Sequence, residues 1–395
     1  MHDETPLIAL IALGLVLSFI CGYIAMRLKL SPVFGYLLAG IIMGPHTPGF
    51  SADTHIAGEL AEIGVVLLMF GVGMHFSMQD ILDMRTVAVP GAIIQILTAT
   101  ALSVGVGFLW GWPFGAGLIF GLALSVASTV VMLRALDSFG ALNTPDGKIT
   151  IGWTVVEDVV MVLVLVLLPA FFDTHAEEPD APVLVALGMA LGKVFVFIGL
   201  MLVFGTRVFP WLLQKVERIG SREMFTLAVV SMALGVAFGA AKLLGISFAL
   251  GAFFAGVVIH RSDLHHRATA TLEPLQDAFG TLFFVAIGML FDPMILVQQP
   301  GRVLIVVAII MLGKSIAAYV IVRLLRRPRS TALIVSVALA QIGEFSFILA
   351  GLGVALGLLS SEAQSLIIAG ALLSIALNSL AFYVVSRLRL FKAAA

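Results

Sequence analysis

Apolar residues run through this chain in blocks of roughly 15 to 27 residues, with most polar residues in the short gaps between them. A helix needs about 20 residues to cross a hydrocarbon core. The pattern therefore predicts thirteen helical spans, near 6–26, 31–45, 57–75, 88–110, 115–136, 148–171, 183–208, 221–242, 246–260, 272–291, 301–324, 330–356 and 363–386. The second and ninth are short. The fold class expected is an all-α polytopic membrane protein.

Composition agrees. Of 395 residues, 61% are hydrophobic and 11% charged, against about 25% charged in soluble domains. The mean hydropathy is +1.13. A net charge of −1 offers no field for nucleic acid. The single Cys21 lies in an apolar span, which excludes an internal disulfide. Met1, His2, Asp3 and Glu4 lack the basic start of a signal peptide, so the first span is expected to be retained.

Basic residues set the orientation. Eighteen, among them Arg27, Lys29, Arg85, Arg134, Lys148, Arg267, Arg329, Arg389 and Lys392, fall on one side of the predicted layout. Lys242 and Arg302 fall on the other, and Lys193 and Lys314 lie within spans. Positive-inside asymmetry puts the N-terminus outside and the C-terminus in the cytoplasm of a cell with an inner (plasma) membrane. The acidic loop 172–180 is then outside.

The chain repeats itself. Ser31, Gly35, Ala39 and Gly40 recur as Ser247, Gly251, Ala255 and Gly256 at an offset of 216; Glu62, Gly73, Met74 and Phe76 recur as Asp277, Gly288, Met289 and Phe291 at 215. Spans 1–6 thus match spans 8–13. Equivalent spans are seven apart, so the halves have opposite topology: a first repeat over 1–171, a linker helix over 183–208 and an inverted second repeat over 221–390. Inverted repeats of this kind build secondary transporters, with the site at the repeat interface near the midplane.

Matching polar interruptions point to that site. Span 5 carries Ser125, Ser128 and Thr129; the same offset in span 12 reaches Ala340, Gln341, Gly343 and Glu344. Both segments are expected to be discontinuous helices that cross, with unwound backbone lining a polar cavity. The bland alternative is continuous helix with the hydroxyls bonded to the preceding turn.

Four ionisable residues reach midplane depth: Glu157, Asp158, Lys314 and Glu344. Each carboxylate there costs at least ~2.5–3.5 kcal/mol on insertion scales and must be protonated, paired or open to water. A group that switches among these states is what a proton-coupled ion transporter needs. Lys314 calls for a carboxylate partner. Glu157 and Asp158 stand about 100° apart on a helix, so they cannot face one partner equally, and the sequence leaves open which faces Lys314. Hard oxygens from Asp158, Ser125, Ser128, Thr129 and unwound carbonyls suit a small monovalent cation.

Other polar residues read as supporting structure. Ser31 and Ser247 are expected N-caps. Lys193 is expected to snorkel or to meet lipid headgroups. Glu62 and Asp277 stand either at the edges of water funnels or at solvated helix ends. His260, His265 and His266 read as a solvated loop or docking surface in preference to a metal site.

The early Ser31–Gly40 motif, the Glu157–Asp158 pair, Lys314 and the Gln341–Phe345 segment together resemble the Kef-like branch of the monovalent cation:proton antiporter superfamily, most nearly its YbaL-type members. The resemblance covers essentially the whole chain. It implies a sodium/proton antiporter-like fold and a homodimer in the lipid bilayer, with a dimerisation domain and a six-helix core that moves in an elevator-like way. It favours Asp158 as cation ligand and proton carrier and identifies Lys314 with the family's core lysine. Glu157 departs from the family, which has Asp or Gln there. Family members usually continue into a cytoplasmic nucleotide-binding regulatory domain; no Gly-rich dinucleotide motif is found here, so that domain is expected to be absent from this chain. The function expected is exchange of K⁺ or Na⁺ for H⁺ by alternating access, with no enzyme activity, no cofactor and no nucleic-acid partner. The alternatives are a channel-like gated K⁺ efflux system and a same-fold organic-anion symporter. Against the symporter, no additional arginine sits at depth to hold an anion.

Overall fold

The structure is a computed structural model that describes residues 6–47, 53–75, 86–138, 140–142, 144–172 and 183–387. Phe76, Arg85, the acidic stretch 173–180, Arg389 and Lys392 lie outside the described residues. Among the described residues every regular element is a helix: α1 (Pro6–Arg27), α2 (Pro32–Met43), α3 (Thr54–His75), α4 (Ala88–Leu109), α5 (Phe114–Ser125), α6 (Thr129–Ser138), α7 (Pro145–Phe172), α8 (Val183–Leu200), α9 (Thr206–Glu217), α10 (Arg222–Leu244), α11 (Phe248–His260), α12 (His265–Met289), α13 (Ile295–Gln298), α14 (Pro300–Ala308), α15 (Lys314–Leu324), α16 (Arg329–Ala338), α17 (Glu344–Ala355) and α18 (Ser361–Arg387). One π turn, Met201–Gly205, joins α8 to α9; another, Ile309–Gly313, joins α14 to α15.

Eight stretches of the described residues are long and apolar enough to cross a membrane, and α2, α11, α16 and α17 are shorter apolar helices. The helix ends follow local chemistry. Gly245 takes the left-handed conformation (φ 66°) that stops α10. Ser247 caps α11 by accepting from the Leu250 N–H at 3.3 Å. Ser31 behaves differently from its repeat partner. Its backbone is in the capping conformation, but its hydroxyl makes no cap bond. Pro32, at the first position of α2, already has the φ a helix needs and lacks an N–H to satisfy.

The chain divides into two compact units, and each draws on both halves of the sequence. One contains Met1–Leu15, Ala52–Ser77 and Val162–Ala286; the other contains Val16–Ser51, Met78–Met161 and Ile287–Ala395. In the first, α3 meets α11 through glycines: a Cβ on Gly256 would lie 2.8 Å from the Met74 nitrogen and 3.0 Å from the Gly73 carbonyl carbon. In the second, a Cβ on Gly288 would lie 3.0 Å from Gly40 Cα. Gly40 is the repeat equivalent of Gly256 and Gly73 that of Gly288, so the same small-residue contact is made twice with the halves exchanged.

The second unit holds the predicted site. Its core packs Trp153 and Val156 of α7 with Ala88 and Ala92 of α4, Ala318 and Val322 of α15, and Ala332 and Val335 of α16. At another point Arg302 pairs with Glu362 of α18 and lies over the Trp110 ring at 5.0 Å.

Candidate ion-binding site

Both predicted interruptions are present. α5 ends at Ser125, Val126 is extended (φ −97°, ψ 132°), and α6 begins at Thr129. α16 ends at Ala338, Gly343 is extended (φ −138°, ψ −156°), and α17 begins at Glu344. The bland alternative is also partly true: Ser125 Oγ donates to the Leu122 carbonyl at 2.7 Å, within its own last turn.

The two breaks meet. Ser128 N–H donates to Gln341 Oε1 at 2.9 Å, and Gln341 Nε2 donates back to the Ser128 carbonyl at 3.0 Å. A side-chain amide here makes the paired bonds that a neighbouring backbone makes in a sheet. Ser128 Oγ donates to Glu344 Oε2 at 3.0 Å. At the 215 offset that relates these spans Ser128 matches Gly343, the residue before Glu344, so an inverted-repeat axis would pass near this contact. Gly343 permits the approach, since a Cβ there would stand 2.5 Å from Ser128 Cα.

Each break exposes helix ends whose N–H and C=O groups have no partner within the helix. On the donor side, Ala127 N–H reaches Glu157 Oε2 at 2.9 Å, and Thr129 Oγ1 donates to Asp158 Oδ2 at 2.9 Å. Glu344 is itself the first residue of α17. On the acceptor side, Gln95 Nε2 donates to the Ser125 carbonyl at 3.0 Å. Ser315 Oγ reaches the Ser336 carbonyl at 2.9 Å, Asn378 Nδ2 the Val337 carbonyl at 2.7 Å, and Lys314 Nζ the Gln341 carbonyl at 2.9 Å. Carboxylates thus gather at the positive ends of half-helices and the ammonium at a carbonyl end, as helix dipoles favour.

All four ionisable residues are buried, Glu157 and Lys314 completely. α7 points Glu157 at the first break's backbone and Asp158 at Thr129. Lys314 differs from expectation. Among the described residues no carboxylate comes within 4.0 Å of its Nζ, because the Gln341 carbonyl takes that place. Glu157 supplies the opposite charge at longer range. Asp158 Oδ1 and Glu157 Oε1 are both buried with no hydrogen-bond partner, leaving one hard oxygen uncommitted on each carboxylate. Ser125, Ser128 and Thr129 each spend their hydroxyl proton on an acceptor, and Ser128 Oγ also accepts from the Val131 N–H at 3.3 Å.

Three supporting residues escaped the sequence reading: Gln95, Ser315 and Asn378. The signal for Gln95 was a lone amide deep in an apolar helix. Elsewhere, Lys193 is exposed, with its ammonium near the turn at Gly245. Glu62 and Asp277 are exposed. His260 Nδ1 lies 2.6 Å from the Met74 carbonyl, and the His265 and His266 rings are 3.9 Å apart.

The family model described as "Sodium/hydrogen exchanger, transmembrane" matches residues 15–386. The chain belongs to this family. It is 54% identical over 385 residues to YbaL of Escherichia coli strain K12, a cation/proton antiporter by name, covering 97% of this chain and 69% of that protein. It is 29% identical to the glutathione-regulated potassium-efflux system protein KefC of Enterobacter sp. strain 638, covering 98% of this chain and 61% of that protein. The fold matches the sodium proton antiporter MjNhaP1 of Methanocaldococcus jannaschii with a TM-score of 0.71 at 17% identity, over 98% of this chain and 99% of that one. This is a multi-span membrane protein of the cation/proton antiporter family.

Proposed function

We propose that this chain exchanges K⁺ or Na⁺ for H⁺ by alternating access, with Asp158 carrying the two ions in turn. The observation that supports it is Asp158 itself: one carboxylate oxygen is held by a side-chain hydroxyl, that of Thr129, and the other is buried and unpartnered at the junction of two broken helices. Glu157 also has a free oxygen, but it is bound to the break's backbone at Ala127 and faces the charge of Lys314. A proton or a dehydrated cation satisfies the free oxygen of Asp158, but not both at once. Ser128, Thr129 and freed carbonyls complete an oxygen-rich surround, with Ser125, whose hydroxyl is turned back to Leu122, at its edge. Glu157, Lys314, Gln341 and Glu344 hold the breaks and balance charge. The assembly proposed is a homodimer in the plasma membrane with the N-terminus outside, built from repeats over 1–171 and 221–390 with the linker 183–208 between them. Any regulatory domain or protein would act from the cytoplasmic side.

Proteoliposomes assayed in parallel with Na⁺, K⁺, Li⁺ and Rb⁺ test the reading. Competition for one carboxylate means apparent cation affinity falls about tenfold per pH unit once the site is mostly protonated. Asp158→Asn should abolish exchange while the protein still folds, since a neutral amide is cheaper to bury than a carboxylate. Glu157→Gln should alter pH dependence or charge stoichiometry and keep some exchange. Coupled exchange surviving in Asp158→Asn and lost only in Glu157→Gln would reverse the two roles.

A further inference from the structure

Gln95 has no part in the exchange described for Asp158, yet it is fully buried in α4 among Ala92, Ile96 and Ala99. Its Nε2 holds the Ser125 carbonyl, and its Oε1 is buried without a hydrogen-bond partner. The burial of that unpaired oxygen carries a desolvation cost, offset only by the one bond to the Ser125 carbonyl.

Its single bond falls at a sensitive point. Ser125 is the last residue of α5, and its own hydroxyl is turned back to Leu122. Gln95 is the donor that reaches its carbonyl from another helix. Val126, Ala127 and Ser128 then run non-helically to Thr129. Along those few residues Ala127 N–H holds Glu157 and the Thr129 hydroxyl holds Asp158. A segment this short, tied at both ends, passes a shift at Ser125 directly to the groups that fix the two carboxylates. The second break uses the same device: Lys314, from the helix preceding that break, donates to the Gln341 carbonyl. By the offset of 215 between these spans Ser125 matches Ala340, the residue before Gln341.

We propose that Gln95 is a positioning residue for the ion site, the uncharged counterpart of Lys314. It anchors the carbonyl end of the first break and thereby sets the affinity of the Asp158 site for its cation. The proposal rests on the antiport reading of Asp158. Wild type, Gln95→Met, Gln95→Asn and Gln95→His are reconstituted, and Na⁺- and K⁺-driven proton movement is measured along with melting temperature. Gln95→Met keeps length and loses the donor; Gln95→Asn keeps the amide and loses reach. Each should raise the half-saturating cation concentration about five- to tenfold, the size of one buried hydrogen bond, with the maximal rate within about twofold. Gln95→His, whose ring N–H keeps a donor at similar reach, should recover most of the loss. The Asn variant gives the same reading where the Met variant does not fold. An active wild type with unchanged half-saturation in Met and Asn overturns this proposal alone. So does a parallel fall of rate and melting temperature at unchanged half-saturation. A wild type silent to every cation overturns the antiport reading and this proposal with it.

Discussion

The two broken helices occupy equivalent places in the repeat, yet they are finished in different ways. At the first, between α5 and α6, the freed N–H of Ala127 and the hydroxyl of Thr129 meet carboxylates, and the carbonyl end is held by the neutral amide of Gln95. At the second, between α16 and α17, the carbonyl end is held by Ser315, Asn378 and the charged Lys314. The first break meets two acids of α7, Glu157 and Asp158. The second opens its downstream helix on Glu344 and holds the cation Lys314 at its carbonyl end. One scaffold thus sets a break whose N–H and hydroxyl meet acids beside one whose carbonyl end is framed by Ser315, Asn378 and Lys314, and the difference lies in a few side chains from α4, α7, α15 and α18.

Lys314→Ala removes the frame's charge and should have the largest effect. It leaves the Gln341 carbonyl without its donor and Glu157 without its opposite charge. Breaking a buried charged arrangement costs about 3–5 kcal/mol, so melting temperature should fall sharply and exchange should be lost. The sign with pH follows from charge: an ionised Glu157 is harder to bury without Lys314, so the loss should be greater at alkaline than at acid pH. Equal melting curves at both pH values would mean that Lys314 and Glu157 do not act on each other.

Gly343→Ala comes next, because it separates the breaks from each other. The added Cβ meets the backbone of Ser128, and overpacking of this kind costs about 1–3 kcal/mol. Transport should fall at least tenfold while the variant still inserts; wild-type exchange rates would show that the breaks need not touch. Asn378→Leu attacks the frame away from the acids. It orphans the Val337 carbonyl, about 1–3 kcal/mol, and should lower melting temperature while leaving cation half-saturation unchanged. Ser125→Ala should do least. That hydroxyl is spent on Leu122, so a loss under about 1 kcal/mol and near-normal cation affinity are expected. A large rise in half-saturation would make the Ser125 oxygen a direct ligand.

The breaks were readable in the sequence because polar residues interrupt apolar helices at matching offsets, a coincidence that one segment alone would not have offered. Glu157, Asp158, Lys314 and Glu344 were readable because ionised groups at that depth are expensive. Gln95, Ser315 and Asn378 were not. Each is a single neutral polar residue in an apolar helix, and its partner is a main-chain carbonyl that leaves no mark in the sequence. Lys314 was readable only in part for the same reason: its charge called for a carboxylate, and Glu157 supplies the opposite charge, but its hydrogen-bond acceptor belongs to the backbone. The missing cap at Ser31 shows a local rule displaced by its neighbour, because Pro32 performs the task the hydroxyl was expected to do.

The π turn at Ile309–Gly313 ends on the residue before Lys314. Such a turn holds one residue more than an α turn, and one residue is about 100° of azimuth. The direction in which α15 presents its first side chain is therefore a matter of counting. A chain of the same composition, one residue shorter in this turn, would aim the ammonium a quarter-turn or more away from the Gln341 carbonyl. The placement of the charge that balances the site is thus written in the length of an apolar segment that carries no polar group of its own.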